Sequence, residues 1–162
     1  MVRFLALAGA VMICAASFAW AQNGAAKSRY NLSAASNQKF LADYARRPGV
    51  IKTPDGLQYR VLKSGSGKSP QSAYDLVTVL YKGSLINGKI FDQTRNGHPT
   101  TFPAGQLIPG WVEALSKMKE GDHWELVIPS PLGYGPDGAG SVIPPNQTLV
   151  FDMTLLKVTP VR

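Results

Sequence analysis

The chain has 162 residues and 17.4 kDa; 44% of it is apolar and 17% is charged. That fits one domain with an extension, and it excludes a disordered tail protein; Gly 16 and Pro 12 speak against a bundle of long helices. A single Cys excludes a disulfide framework and a Cys-based zinc site, two His leave little for metal ligation, and the net charge of +7 raises a nucleic-acid or membrane partner until that charge is located.

The first segment reads as an address. Met1-Val2-Arg3 is a short basic start, and Phe4 to Phe18 is a mostly apolar run of 15 residues with no charge. Ala19-Trp20-Ala21 then supplies an A-x-A cleavage pattern, so residues 1–21 are expected to be a secretory signal removed before Gln22. The polar Gln22-Asn23-Gly24 speaks against a membrane span. Ile13 is too bulky for a lipoprotein site at Cys14, so the only Cys leaves with the signal, which suits an oxidising compartment. The expected location is outside the cytoplasm, in the periplasm before the medium.

Residues 22–50 hold Lys27, Arg29, Lys39, Arg46 and Arg47 against Asp43, while residues 51–162 hold eleven basic against nine acidic residues. The basic bias thus belongs to the extension and the body is nearly neutral, which argues against nucleic acid. A basic arm of this kind is most often a solvated surface.

Residues 22–48 are expected to be a linker and a short helix. Residues 22–36 are small and polar, Ser36 is placed to cap a helix over 37–46, and Pro48-Gly49 ends it. Leu57, Tyr59 and Val61 alternate with Gln58 and Arg60, which predicts a half-buried strand with Gln58 and Arg60 outward. Val77, Val79 and Tyr81 form a second alternating face, and Asn87-Gly88 marks a hairpin into Lys89-Ile90-Phe91. Residues 93–100 read as a loop. Trp111, Leu115 and Met118 predict a short helix after Pro109-Gly110, stopped by Gly121. Trp124, Leu126 and Ile128 predict a strand, residues 129–146 a long Gly/Pro-rich loop, and residues 149–158 a last alternating strand. Residues 49–162 are therefore an α+β domain, an antiparallel sheet covered by one short helix.

The usual catalytic constellations do not occur. There is no G-x-S-x-G and no phosphate loop after a strand, and His98 and His123 have no metal-ligand spacing. Asp92 and Glu113 read as solvated carboxylates before they read as a catalytic pair. The unusual feature is a set of large apolar and aromatic residues at the ends of elements: Tyr81, Phe91, Leu107, Ile108, Trp111, Tyr134, Val142, Ile143 and Phe151.

Tyr81-Lys82-Gly83-Ser84-Leu85 with residues 87–92, Leu107-Ile108-Pro109-Gly110-Trp111 with residues 113–115, residues 131–135, Ile143-Pro144-Pro145-Asn146 and Leu149-Val150-Phe151-Asp152 occur in that order. This run resembles the FKBP-type peptidyl-prolyl cis-trans isomerases over residues 49–162. Residues 40–43 through 56–59 resemble their exported bacterial branch, related to macrophage infectivity potentiator proteins. The resemblance implies a bent antiparallel sheet wrapped around one helix, cis–trans isomerisation of X-Pro bonds, and no cofactor and no metal. It implies proline-containing unfolded or exported polypeptides as partners, macrolides as possible inhibitors, and no stable membrane insertion once the signal is gone.

The implied site follows the same motifs. Tyr81, Phe91, Asp92, Tyr134 and Phe151 are the implied catalytic set, and Leu107, Ile108, Trp111, Val142 and Ile143 the implied binding set. Trp111 is the expected floor under a proline ring, with Phe91 and Phe151 as walls. The Ile108 N–H and Tyr134 hydroxyl are expected to hold carbonyls, and Asp92 to pair with Tyr81. The chain departs from the family at Thr100, where many relatives carry an aromatic wall and where Phe102 is nearby, and at Ala139, where the tall loop often carries His. The loop after Asp92, with Arg95, is one residue short. The alternative function is a non-catalytic chaperone or binding module using the same cleft. The short arm predicts a monomer or a weak dimer.

Overall fold

The computed structural model describes residues 29–161. The expected signal over 1–21 and the first part of the linker lie outside these residues. Seven strands form one antiparallel sheet: β1 (Val50–Lys52), β2 (Gln58–Lys63), β3 (Leu76–Leu85), β4 (Ile90–Gln93), β5 (Thr100–Pro103), β6 (His123–Ile128) and β7 (Leu149–Thr159). Their spatial order is β1-β2-β6-β7-β3-β4, with β5 also paired to β3. Helices α1 (Ala34–Ala45) and α2 (Pro109–Lys117) lie on opposite faces, an arrangement set by the two-residue period of the strands. Leu126 and Phe151 are register partners in the main core with Trp111 of α2. The next pair, Val127 and Val150, faces the other way and packs with Phe40 and Tyr44 of α1.

α2 forms where its apolar residues recur. Pro109 begins it, a position where the missing N–H costs nothing, and Trp111, Ala114 and Leu115 share its buried face. The helix ends at Lys117, before the expected stop at Gly121. Met118 leaves helical geometry at ψ 154° and is wholly buried, so burial of one side chain decides the end. Gly110 lets α2 lie close against the sheet: a Cβ there would come 2.6 Å from Ile128 Cγ2.

Three expectations are corrected. α1 begins at Ala34, not after Ser36, and its cap is Ser33, whose hydroxyl oxygen accepts from the Ser36 N–H at 3.2 Å. The linker reading thus fails over its last residues. Gln58 is buried rather than outward, because α1 covers that face and the Leu41 carbonyl accepts from Gln58 Nε2 at 3.1 Å; Val61, expected inward, is exposed next to a bulge. The expected loop over residues 93–100 ends in β5, which pairs with the first half of β3 while β4 pairs with its second half. β4 and β5 are two pieces of one broken edge. β1, three residues long, was not signalled by any alternation.

α1 is held by polar contacts as well as apolar ones. The buried Asn37 donates from Nδ2 to Gln147 Oε1 at 3.1 Å and accepts from the Thr148 N–H at 2.8 Å. Gln147 in turn donates to the carbonyls of Leu32 and Pro145. These bonds satisfy polar groups that burial would otherwise penalise, and they tie α1 to the end of the long loop before β7. Tyr44 donates to Glu125 at 2.7 Å; burial, then this bond, pushes its phenol far above the ordinary value. α1 is therefore part of the domain. Phe40→Ala should lower stability by about 3 kcal/mol while unfolding stays a single transition, as measured by urea denaturation. An early separate transition, or an unchanged midpoint, would show that α1 is an independent arm.

Candidate functional site

The site is built on β3, β4, β7 and α2. Register places Gly83 of β3 opposite Phe151 of β7 and Asp92 of β4. Gly83 matters because it has no side chain: a Cβ there would sit 2.7 Å from both Phe151 Cε1 and Phe91 Cζ. The two rings close over that space edge to face, with centroids 5.6 Å apart. Trp111 comes up from α2 and meets Tyr81 at 5.0 Å, Phe151 at 5.1 Å and Phe102 at 6.1 Å, each nearly perpendicular. Edge-to-face contacts match ring edges to ring faces, and each contributes about 0.5–1.5 kcal/mol beyond burial.

These rings leave a cavity of about 440 Å³ lined by Tyr81, Phe91, Asp92, Phe102, Gln106, Leu107, Ile108, Trp111, Tyr134 and Phe151. Trp111 and Phe151 are buried at its base, and Tyr134 stands on its rim, 40% exposed. Ile108 caps the start of α2, and its carbonyl accepts from the N–H groups of Trp111 and Val112. The Ile108 N–H itself has no hydrogen bond among the described residues.

Two polar groups set the electrostatics. The Tyr81 hydroxyl donates to Asp92 Oδ2 at 2.6 Å. Burial, with that bond second, pushes the Tyr81 phenol far above its ordinary value. Burial and then the Asp92 charge push the Tyr134 phenol up as well. Both phenols are neutral donors at neutral pH. Beyond Asp92, Thr94 bonds to the backbone of Tyr81 through its N–H and its hydroxyl, which fastens the start of the short loop.

Of the ten residues the sequence singled out, eight line this cavity. Val142 and Ile143 do not: Val142 is exposed on the long loop, and Ile143 is buried in the core, in a bridge with Ala139. Phe102 lines the wall, although Thr100 was the matched position; β5 carries Phe102 there by pairing it with Val77. Gln106 was missed. It lies in the turn between β5 and α2, where no periodicity marks a side chain. Gly83 appeared only as part of a motif; its role depends on three strands at once. His98 and His123 are outside the lining. His123 Nε2 instead lies 2.9 Å from Asp152 Oδ1, on the face of the sheet away from the cavity.

The family of FKBP-type peptidyl-prolyl cis-trans isomerases matches residues 67–156, and the domain described as amino-terminal to FKBP-type peptidyl-prolyl isomerase matches residues 10–61. The chain is 45% identical over 133 residues to the FKBP-type 22 kDa peptidyl-prolyl cis-trans isomerase of Escherichia coli, covering 82% of this chain and 64% of that one. It is 44% identical to the outer membrane protein MIP of Legionella longbeachae, over 76% of this chain and 53% of that one. The chain thus spans about half to two thirds of the length of these relatives. Among solved structures, FkpA from Escherichia coli aligns with a TM-score of 0.75 and 43% identity, over 79% of this chain and 60% of that one. A peptidyl-prolyl cis-trans isomerase from Pseudomonas syringae aligns with a TM-score of 0.72 and 40% identity, over 78% of this chain and 92% of that one. With the seven-stranded antiparallel sheet, the covering helix and the aromatic cleft already described, these matches establish that the chain belongs to the FKBP-type peptidyl-prolyl cis-trans isomerase family.

Proposed function

We propose that this protein accelerates cis–trans isomerisation of X-Pro bonds in exported polypeptides, using the aromatic cavity as its site. The observation that carries the proposal is the cavity itself: six aromatic side chains and Leu107 and Ile108 surround one carboxylate, and no His or Cys is among them. An amide twists over a barrier of about 18–20 kcal/mol because resonance is lost. No bond to carbon is made, so no nucleophile is needed. A cavity of this kind removes the water that stabilises the planar, charge-separated amide and favours the twisted form by shape. Each ~1.4 kcal/mol removed from the barrier is tenfold in rate.

The roles follow from position. Trp111 supports the proline ring from below, with Phe91, Phe102 and Phe151 around it. The free Ile108 N–H and the neutral Tyr134 hydroxyl hold the carbonyls beside the proline. Asp92, oriented by Tyr81, faces the amide as it twists. The cavity also suits a macrolide, with Phe102 supplying a wall that Thr100 does not. Export rests on the residues before Gln22 and on a relative named as an outer membrane protein. No helix among the described residues is long and apolar enough to cross a membrane. X-Pro isomerisation takes tens of seconds unaided and limits folding, so exported chains offer a client pool.

The decisive experiment is a proline-isomerisation assay on a short peptide, with and without a macrolide. Phe91→Ala, Asp92→Leu and Phe151→Leu should each lower kcat/KM about tenfold or more in folded protein. Gly83→Ala should do the same by forcing Phe91 and Phe151 apart, at a stability cost of about 1–3 kcal/mol. Full activity in all four folded variants would remove the site assignment. Binding of unfolded chains with no rate increase would identify a holding chaperone instead.

The pH profile separates desolvation from acid–base catalysis. Both phenols are shifted upward, so they stay protonated as pH rises through neutrality, and no cavity residue is a His. Activity per folded molecule should be nearly flat from about pH 6 to 8. A bell-shaped curve that disappears in His98→Gln or His123→Gln would sink this mechanism.

The apolar face of α1 is spent on its own sheet, through Phe40 and Tyr44. A monomer or a weak dimer is expected, and sedimentation showing a stable dimer at micromolar concentration would contradict it.

A further inference from the structure

On the outer flank of α1, several cations crowd around too few acids. Lys39 Nζ lies 2.9 Å from Asp43 Oδ2, Arg29 Nη2 lies 3.8 Å from the same oxygen, and Arg46 Nη1 lies 3.9 Å from Asp43 Oδ1. One carboxylate thus faces three positive charges, with the Lys39, Arg29 and Arg46 side chains 67%, 70% and 78% exposed. Arg47 lies 4.9 Å over the Tyr44 ring, and Arg29 lies 5.1 Å over the Tyr30 ring. Arg60 shares Glu125 with the Tyr44 hydroxyl. Arg29, Lys39, Arg46 and Arg47 against Asp43 leave this flank at +3, the neighbouring Arg60 being offset by Glu125, while the body beyond residue 50 is close to neutral. The Lys39 hydrogen bond, with Tyr30 next, holds Asp43 at about 2, so the carboxylate is ionised in that count.

This cationic flank is not a flexible tail. It is carried on a capped helix bonded into the domain through Asn37 and Gln147. Two of its arginines rest on aromatic rings, which limits what they lose on binding. It lies on the opposite sheet face from Trp111 and the cavity, as the alternation of Leu126 with Val127 and of Val150 with Phe151 requires.

We propose that the α1 flank, through Arg29, Lys39, Arg46 and Arg47, docks the protein peripherally on an anionic phospholipid surface, with the aromatic cavity facing away from it. Charge complementarity selects the partner class. Exposed cations on a convex helix flank meet a plane of headgroup phosphates without needing a groove. Nucleic acid is disfavoured because the aromatic rings at this flank are not available for base stacking: Tyr30 is 8% and Tyr44 1% exposed. A surface-held molecule keeps its cavity open to chains in solution. The proposal does not depend on the isomerase reading, since α1 shares no residue with the cavity lining.

The test is sedimentation of the protein, as isolated from cells, with vesicles of phosphatidylcholine with and without a quarter of phosphatidylglycerol. Binding should need the anionic lipid. It should fall steeply as salt shrinks the screening length from about 10 Å at 0.1 M to about 3 Å at 1 M. Each basic residue near an anionic surface adds roughly fivefold, so Lys39→Gln with Arg46→Gln should weaken binding about 25-fold. Asp43→Asn should strengthen it roughly fivefold, while Lys117→Gln on α2, across the sheet, should leave it nearly unchanged. Equal binding to neutral vesicles overturns the proposal. So does binding that survives the double substitution, which would place attachment elsewhere in the chain. Tighter binding to polyglutamate than to vesicles would assign the flank to acidic polypeptides and overturn it too.

Discussion

The pairing of β3 with β7 is the constraint on which the rest depends. It runs from Leu76↔Thr159 to Leu85↔Leu149 and sets Gly83 against Phe151. A slip of one residue would turn Phe151 away from Trp111 and bring Val150 or Asp152 into the core. Both faces of the sheet are committed by the same register, one to α2 and the cavity, the other to α1. That double commitment explains why a strand with only modest alternation is nevertheless fixed in place. It also explains the missing side chain at Gly83, where the edge and centre of the sheet are closest to the aromatic rings.

The cavity is a by-product of incomplete packing at a broken edge. β3 is long enough to pair with β5 at one end and β4 at the other, and the chain between them leaves the edge and returns. An unbroken edge strand would have filled the space above Trp111. The rings hold one another perpendicular, so the space keeps its shape without a ligand. Preorganisation of this kind reduces what binding must spend on ordering side chains.

Much of this is legible in the sequence. Strands β2, β3, β6 and β7, the Asn87-Gly88 hairpin and α2 each carry a local period or turn signal, and seven of the eight cavity residues sit on or beside those elements, Tyr134 alone lying on the long loop. What was not legible depends on distant contacts. Gln58 reads as a surface residue until α1 is known to cover it. The start of α1 is not decided by the local signal that marks Ser36 as a cap; it is settled by Asn37 reaching Gln147 and Thr148, over a hundred residues away. β5 is four residues long and ends in Pro103, too short for alternation to register. Val142 and Ile143 show the converse: motif position alone assigned them to the cavity, whereas the long loop turns one outward and buries the other in the core.

The order of strands has a consequence for how the chain is made. β7 is the last strand in sequence, yet it lies between β6 and β3 in the middle of the sheet. Until it emerges from the ribosome, β2 with β6 on one side and β3 with β4 on the other have no common partner. Neither half buries enough surface to fold alone, and the closing contacts are separated by many residues, which makes them slow to form. The growing chain therefore stays open until β7 has been made. That state leaves exposed strand edges for chaperones to cover in the meantime.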